Sequence, residues 1–176
     1  AVNPKKDIDA FSITSPYNSP LAEAILKLLE HILGSNNKIN QNLINWLNSQ
    51  SIVILGKGET GGRPIIKTFE KMGINFKVVD SKTINAQSIT KNADIIISAI
   101  GKPHILKPQG LKEGAILISI GLSKGSDGKL YGDYSENEIE NIASFYTPTP
   151  GGVGPVNVAM LLKNLIEAAE SLFQQE

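Results

Sequence analysis

Short, uninterrupted apolar runs recur along the chain, and most of them end at a glycine. Such runs, rich in β-branched residues, are typical of strands that are buried on both faces of a parallel sheet. They predict strands over residues 51–55, 75–80, 93–100, 115–120 and 143–146. The chain therefore supplies four or five strands for one parallel sheet.

Between these runs, apolar residues recur at helical spacing. Ser19 and Pro20 suit the N-cap and the first position of a helix that ends near Gly34. Further helices are predicted over residues 36–50, 65–72, 88–92 and 156–173. Strands that alternate with helices in this way predict the α/β class, as a doubly wound, Rossmann-like parallel sheet.

Composition and charge exclude several kinds of site and partner, but they do not identify a function. The 176 residues carry a formal net charge of zero and contain no cysteine and two histidines. Disulfides, thiolate metal sites and histidine-rich metal sites are excluded, so no metal is expected. No basic surplus or long apolar run points to a nucleic-acid or membrane partner. A cytoplasmic location is the default expectation.

A glycine-rich turn follows the first predicted strand directly. It matches the pattern G-x-G-x-x-G in the residues Gly56, Lys57, Gly58, Glu59, Thr60 and Gly61. In a dinucleotide site the first glycine permits the turn, the second lets backbone approach the pyrophosphate, and the third lets helix and strand pack closely. The context predicts a dinucleotide site, with a purely geometric turn as the alternative. Lys57 and Arg63 are candidate phosphate contacts, and Glu59 is expected to face solvent.

An acidic residue closes the next predicted strand, at roughly the offset of about 20 residues that a ribose-binding acid has. This residue is Asp80, and Ser81 and Lys82 follow it. A carboxylate there accepts hydrogen bonds from a ribose 2′-hydroxyl and repels a 2′-phosphate, whereas Lys82 acts in the opposite sense. The expected cofactor is NAD or NADP, with NAD favoured. The alternative is that Asp80 is only a strand-end turn residue.

Several further motifs occur in order along most of the chain. They are Asn3–Asp9 (NPKKDID), Ala93-Asp94, Ile100-Gly101-Lys102-Pro103, Gly121, Gly128-Lys129-Leu130, Gly132-Asp133, Pro148–Pro155 (PTPGGVGP), Val158–Leu161 (VAML) and Lys163-Asn164. On these motifs the chain resembles the cofactor domain of the methylenetetrahydrofolate dehydrogenase/cyclohydrolase family. The resemblance implies oxidation of methylenetetrahydrofolate by a nicotinamide cofactor, hydrolysis of the methenyl product to formyltetrahydrofolate, and a homodimer.

The resemblance also implies roles for individual residues. Ile100, Gly101, Lys102, Pro103 and Gly121 join the glycine turn as cofactor-binding residues. Asp9 corresponds to the family's pterin-contacting acid, and Gly151, Gly152, Gly154 and Pro155 to a segment against nicotinamide and folate. The alternatives are a solvated acid at Asp9 and a helix-entry loop without a ligand at Gly151.

The chain departs from the family pattern at three places. The usual Gly-Arg-Ser is Gly56-Lys57-Gly58, the usual His-Ser-Arg is Asp80-Ser81-Lys82, and a usual aspartate is Ser119. The family's Tyr-x-x-x-Lys motif is not matched. The chain is therefore expected to be a C-terminal part of a larger enzyme, and by itself to bind cofactor without turnover. A dinucleotide-binding regulatory or dimerisation module is the alternative.

The expected organisation follows from these assignments. Residues 1–18 would be a remnant of a substrate domain, residues 19–50 interdomain helices, residues 51–155 the dinucleotide domain, and residues 156–176 a closing helix.

Overall fold

Five parallel strands form the central sheet in a computed structural model that describes residues 2–12, 14–35 and 42–173. The strands are β1 (Ile52–Leu55), β2 (Lys77–Val79), β3 (Ile95–Ser98), β4 (Ile116–Ser119) and β7 (Phe145–Tyr146), and a separate hairpin contains β5 (Ser123–Lys124) and β6 (Leu130–Tyr131). The helices are α1 (Pro20–Ser35), α2 (Leu43–Asn48), α3 (Gly62–Lys71), α4 (Ala86–Lys91), α5 (Glu136–Ile139) and α6 (Val153–Phe173), with 3₁₀ turns at Pro4–Lys6 and Pro108–Gly110.

The strand order of the main sheet is β2-β1-β3-β4-β7. Register is set by parallel pairs such as Ile54 with Ile97 and Ile97 with Ile118. The chain runs outward from β1 to β2 and then returns to β3 on the other side of β1. In such a sheet the change of direction opens a crevice at the carboxyl ends of the strands, where ligands bind. The fold therefore places a crevice between the ends of β1 and β3.

Both faces of the sheet are buried at its central strands β1, β3 and β4, whereas only Val79 is buried in the edge strand β2. Alternate side chains of the central strands enter different cores. Ile52 and Ile54 pack into the core that contains residues of α1, α2, α3 and α6. Val53 and Leu55 pack into the other core, with Ile139 of α5 and residues that flank α4. This double burial explains why the strand sequences are continuously apolar instead of alternating.

The N-terminal segment is attached to the long helix α6. Buried Asn164 donates hydrogen bonds from Nδ2 to the carbonyl oxygens of Ile8 and Asn18, at 2.8 and 2.9 Å. Helix α1 also packs along α6. The residues ahead of the sheet are thus fixed to the closing helix.

The structure confirms the predicted sheet and corrects several boundaries. Strands β2 and β3 are shorter than predicted, and α3 begins at Gly62 instead of residue 65. The second predicted helix is limited to Leu43–Asn48, and residues 36–41 lie outside the described part of the chain. The hairpin of β5 and β6 and the short helix α5 were not predicted. Within the described ranges, no helix is long and apolar enough to cross a membrane.

Candidate functional site

The glycine turn lies at the carboxyl end of β1, where it enters α3. Gly56 has φ of +89°, and a Cβ there would lie 2.8 Å from the carbonyl oxygen of Ala99 in the neighbouring strand end. Gly58 faces open space, with no atom within 4 Å of the position its Cβ would take. The first glycine is therefore required by the fold, and the second leaves room for a ligand against the backbone.

The close contact between α3 and the ends of β1 and β3 requires one more glycine than the G-x-G-x-x-G pattern contains. A Cβ on Gly61 would lie 3.1 Å from the Cβ of Ala99, which is tight. A Cβ on Gly62, the first residue of α3, would overlap the Gly56 carbonyl oxygen. The close packing of helix and strand that was predicted to require Gly61 thus depends more strictly on Gly62. The signal in the sequence that could have identified Gly62 is the pair of adjacent glycines ahead of the helix.

Asp80 lies at the end of β2 and forms an ion pair with Lys57 of the turn. The Lys57 Nζ to Asp80 Oδ2 distance is 2.7 Å, and the Lys82 backbone N–H donates to Asp80 Oδ1 at 2.9 Å. The hydrogen bond from Lys57, followed by that from Lys82, lowers the pKa of Asp80 to about 2. Asp80 is therefore a fixed carboxylate at neutral pH, and its side chain is only 20% exposed.

The other charged residues near the turn pair with each other at the surface. Glu59 is exposed and forms an ion pair with Arg63 one helical turn later. Thr60 is also exposed within the turn. Of the two candidate phosphate contacts, Lys57 thus pairs with Asp80 and Arg63 pairs with Glu59.

A cavity of about 450 Å³, here called the crevice cavity, opens beside Asp80. Among the predicted residues, its lining includes Asp80, Ser81, Ile100 and Lys102. No sequence motif had marked the remaining lining residues, which are Leu55, Val79, Ala86, Gln87, Thr90, Ile105, Leu106, Lys107 and Gly110. They come from β1, β2, α4 and the segment after β3, and only the fold brings them together.

The loop after β3 is held by hydrogen bonds to one buried side chain. The backbone N–H groups of Ile100, Gly101 and Lys102 donate to the Asp133 carboxylate at 2.9–3.1 Å. Gly101 has φ of +68°, which favours glycine, and Pro103 is exposed at the following turn. Asp133 was part of the family resemblance but was given no role in the sequence analysis.

Gly121 and Ser119 lie on the β4 side of the same carboxylate. A Cβ on Gly121 would overlap both carboxylate oxygens of Asp133, so this glycine is required for close approach. Ser119 Oγ accepts a hydrogen bond from the Asp133 backbone N–H at 3.1 Å. The serine that replaces the family's usual aspartate is therefore a neutral neighbour of a buried acid.

The glycine segment before α6 borders a second cavity, of about 390 Å³, here called the helix cavity. Gly151, Gly152, Gly154 and Pro155 all line it. A Cβ on Gly152 would lie 2.6 Å from the Pro148 carbonyl oxygen, whereas Gly154 faces open space. The four predicted substrate residues are thus brought to one surface.

Asp9 is less closely integrated than the residues of either cavity. Asp9 is exposed, and it is not among the residues that line the helix cavity. Its neighbour Asp7 is buried and accepts hydrogen bonds from the backbone N–H groups of Phe11 and Ser12, at 3.3 and 2.7 Å. Of the two acids, Asp7 shapes the segment, whereas the side chain of Asp9 is exposed.

Comparison with known proteins agrees with the family resemblance of the sequence motifs. The family model described as "Tetrahydrofolate dehydrogenase/cyclohydrolase, NAD(P)-binding domain" matches residues 25–173. The Bifunctional protein FolD of Mycoplasma pneumoniae is 39% identical over 167 residues, which cover 94% of this chain and 58% of that protein. The chain thus spans less than two thirds of this curated relative's length.

Two solved structures agree with the sequence matches. The bifunctional FolD dehydrogenase/cyclohydrolase of Campylobacter jejuni superposes with a TM-score of 0.80 and 29% identity, covering 94% of this chain and 58% of that one. The Trypanosoma brucei dehydrogenase-cyclohydrolase, complexed with NADP cofactor and inhibitor, gives 0.77 and 28%, with 97% and 61% covered. With its glycine turn, parallel sheet and family match, the chain belongs to the tetrahydrofolate dehydrogenase/cyclohydrolase family and carries its NAD(P)-binding domain.

Proposed function

We propose that this chain binds a nicotinamide dinucleotide in the crevice between β1 and β3, and that it prefers NAD to NADP. The pyrophosphate lies on the turn from Gly56 to Gly61, and the adenosine ribose is held by Asp80. The observation that carries the proposal is the position of Asp80. Its carboxylate is fixed at the end of β2, lines the crevice cavity and pairs with Lys57 of the glycine turn, although no residue of the turn itself lines that cavity.

The residues present fit such a cofactor. Open space at Gly58 allows a pyrophosphate to approach the backbone, and the N-terminus of α3 favours its negative charge. The apolar residues of the crevice cavity, such as Leu55 and Ile105, suit a base, and the Ile100–Pro103 loop suits a ribose. Bound there, a nicotinamide cofactor would supply the hydride acceptor, and the Ile100–Pro103 loop and the residues of the crevice cavity would hold and orient it.

For the whole protein we propose the family's two reactions, oxidation of methylenetetrahydrofolate and hydrolysis of the methenyl product. The folate would lie against Gly151, Gly152, Gly154 and Pro155, with Asp9 at its pterin. The Tyr-x-x-x-Lys motif that the family resemblance requires, with its lysine, is not matched in this chain. We therefore expect this chain alone to bind cofactor without turnover, and oxidation of methylenetetrahydrofolate by it would contradict that expectation.

Asp80 provides the direct test of cofactor choice. We expect calorimetry on the 176-residue chain to show tighter binding of NAD than of NADP. Replacement of Asp80 by serine should weaken NAD binding at least about tenfold, because a hydrogen bond to a charged group contributes roughly 1.5–3 kcal/mol, and it should also relax the rejection of NADP.

Asp127 supplies the matched control, because it is an exposed acid on the hairpin between β5 and β6. Its replacement by serine should leave both affinities unchanged. Tighter binding of NADP by the unaltered chain would overturn the role given to Asp80. Binding of neither dinucleotide would overturn the proposed function, and a dimerisation role would then be the remaining alternative.

A further inference from the structure

One carboxylate lies at the centre of the loops that end β3 and β4, and the proposed function gives it no task. Asp133 follows β6 and is fully buried, at 0% exposure. A buried acid is costly unless its oxygens are satisfied by hydrogen bonds. Its donors therefore indicate what it stabilises.

Four donors meet the two oxygens of Asp133. Oδ1 accepts from the backbone N–H groups of Gly101 and Lys102, at 2.9 and 3.1 Å. Oδ2 accepts from the backbone N–H of Ile100 at 3.1 Å and from Ser98 Oγ at 2.6 Å. Because three successive N–H groups converge on one side chain, the path of this loop is fixed residue by residue.

The same side chain also limits the loop after β4. Gly121 passes so close that any side chain there would overlap the carboxylate, and the Asp133 backbone N–H is held by Ser119 Oγ. Asp133 therefore fixes the distance between the ends of two neighbouring strands. These are the strand ends that carry Ile100, Gly101, Lys102 and Gly121.

We propose that Asp133 is a positioning residue for cofactor binding, acting through the loop of residues 100–102. This inference rests on the proposed function and adds a residue to it. Ile100 and Lys102 line the crevice cavity, whereas Asp133 is not among its lining residues. The carboxylate thus sets the shape of the site without touching the ligand, and its loss should change affinity through the loop alone.

Asp133→Asn is the informative variant because it keeps the size of the side chain. The amide group places N–H donors where a carboxylate oxygen accepted two hydrogen bonds, so one or more backbone N–H groups of the loop lose their acceptor. We expect the dissociation constant for NAD to rise about tenfold, because the loop of residues 100–102 no longer keeps the path that its hydrogen bonds fixed. Asp127→Asn, the same chemical change at an exposed acid, should leave it unchanged.

Amide hydrogen exchange, measured without any nucleotide, separates positioning from general stability. In Asp133→Asn, exchange at Ile100, Gly101 and Lys102 should accelerate about tenfold relative to the unaltered chain, because their hydrogen bonds open locally. Exchange at Val53 in β1, which is fully buried and reports global unfolding, should accelerate less than exchange at the loop. Equal acceleration at the loop and at Val53 would overturn the proposal, because it would show a purely structural role.

The remaining outcomes also decide the question. A folded Asp133→Asn chain that binds NAD with unaltered affinity overturns the positioning role. If this variant does not fold, Ser98→Ala replaces it: it removes one of the four donors, should raise the dissociation constant about threefold, and is judged by the same exchange comparison. If the unaltered chain binds neither dinucleotide, the proposed function fails, while the exchange rates still show whether Asp133 orders the loop.

Discussion

Two aspartates serve the two sides of the crevice in different ways. Asp80 is partly exposed at the end of β2 and pairs with the cation Lys57. Asp133 is fully buried and is met by four uncharged donors, namely three backbone N–H groups and the hydroxyl of Ser98. The first acid faces the cavity and the second lies beneath the loop.

The difference shows how one residue type can supply either recognition or shape. A carboxylate that water can reach can exchange that water for ligand hydroxyls, so the partly exposed Asp80 suits selection between two cofactors. A buried carboxylate keeps its partners because breaking any of them leaves an unsatisfied group. Substitutions at Asp133 and its neighbours should therefore affect folding and loop order, whereas substitutions around Asp80 should affect ligand choice.

The largest effect is expected at Gly121, next to the buried acid. Gly121→Ala forces a methyl group against both carboxylate oxygens, and the strand ends must separate. Overpacking of this kind should lower the free energy of unfolding by about 3 kcal/mol, measured by urea denaturation. A loss under about 1 kcal/mol would show that the loops yield easily, and would weaken the contrast between the two acids.

Gly58→Ala should give the opposite result on the Asp80 side of the crevice. No atom lies within 4 Å of the added methyl group, so the free energy of unfolding should change by less than about 0.5 kcal/mol. The methyl group would instead occupy the path of the pyrophosphate, and NAD should bind about tenfold more weakly by calorimetry. Gly34→Ala, another position with open space, is the control: alanine is favoured over glycine within α1, so this change should not lower the free energy of unfolding, and it should leave NAD affinity unchanged.

The sequence was sufficient for the fold because the fold depends on local patterns. Continuous apolar runs located the strands, and β1, β3 and β4 are indeed buried on both faces. The glycine turn was found for the same reason, since its motif is contiguous. Gly62 was missed because a G-x-G-x-x-G pattern stops one residue too early, while the overlap with Gly56 exists only in three dimensions.

The roles of the two aspartates illustrate what sequence patterns omit. Asp80 was identified by its distance from the turn, but its partner Lys57 was interpreted as a phosphate contact. Asp133 lies 35 positions from Ser98 in the sequence. No periodicity of the sequence connects this acid, which follows the short strand β6, with the loop that follows β3. Burial of a charged residue is visible only once the chain is folded, so its positioning role could not be predicted.

The ion pair between Lys57 and Asp80 gives the smallest and most specific prediction. Its hydrogen bond lowers the pKa of Asp80 to about 2, so the folded chain keeps this carboxylate charged throughout the mildly acidic range. Because the pKa of Asp80 in the folded chain lies below its ordinary value in the unfolded chain, the ion pair stabilises the fold at any pH above that ordinary pKa. This stabilisation is lost as the pH falls through about 2.

Lys57→Met should raise the pKa of Asp80 toward its ordinary value of about 3.9, which carbon NMR of the carboxyl group can follow. NAD affinity at pH 7 should change little, because Asp80 is charged in both chains, and the variant should bind more weakly only below about pH 5. Lys67→Met removes a charge from an exposed position in α3 and should leave the pKa of Asp80 unchanged. A marked loss of NAD affinity at pH 7 in Lys57→Met, but not in Lys67→Met, would instead show that Lys57 leaves Asp80 to contact the pyrophosphate. The roles of Asp80 and Asp133 on the two sides of the crevice would then differ less than the structure indicates.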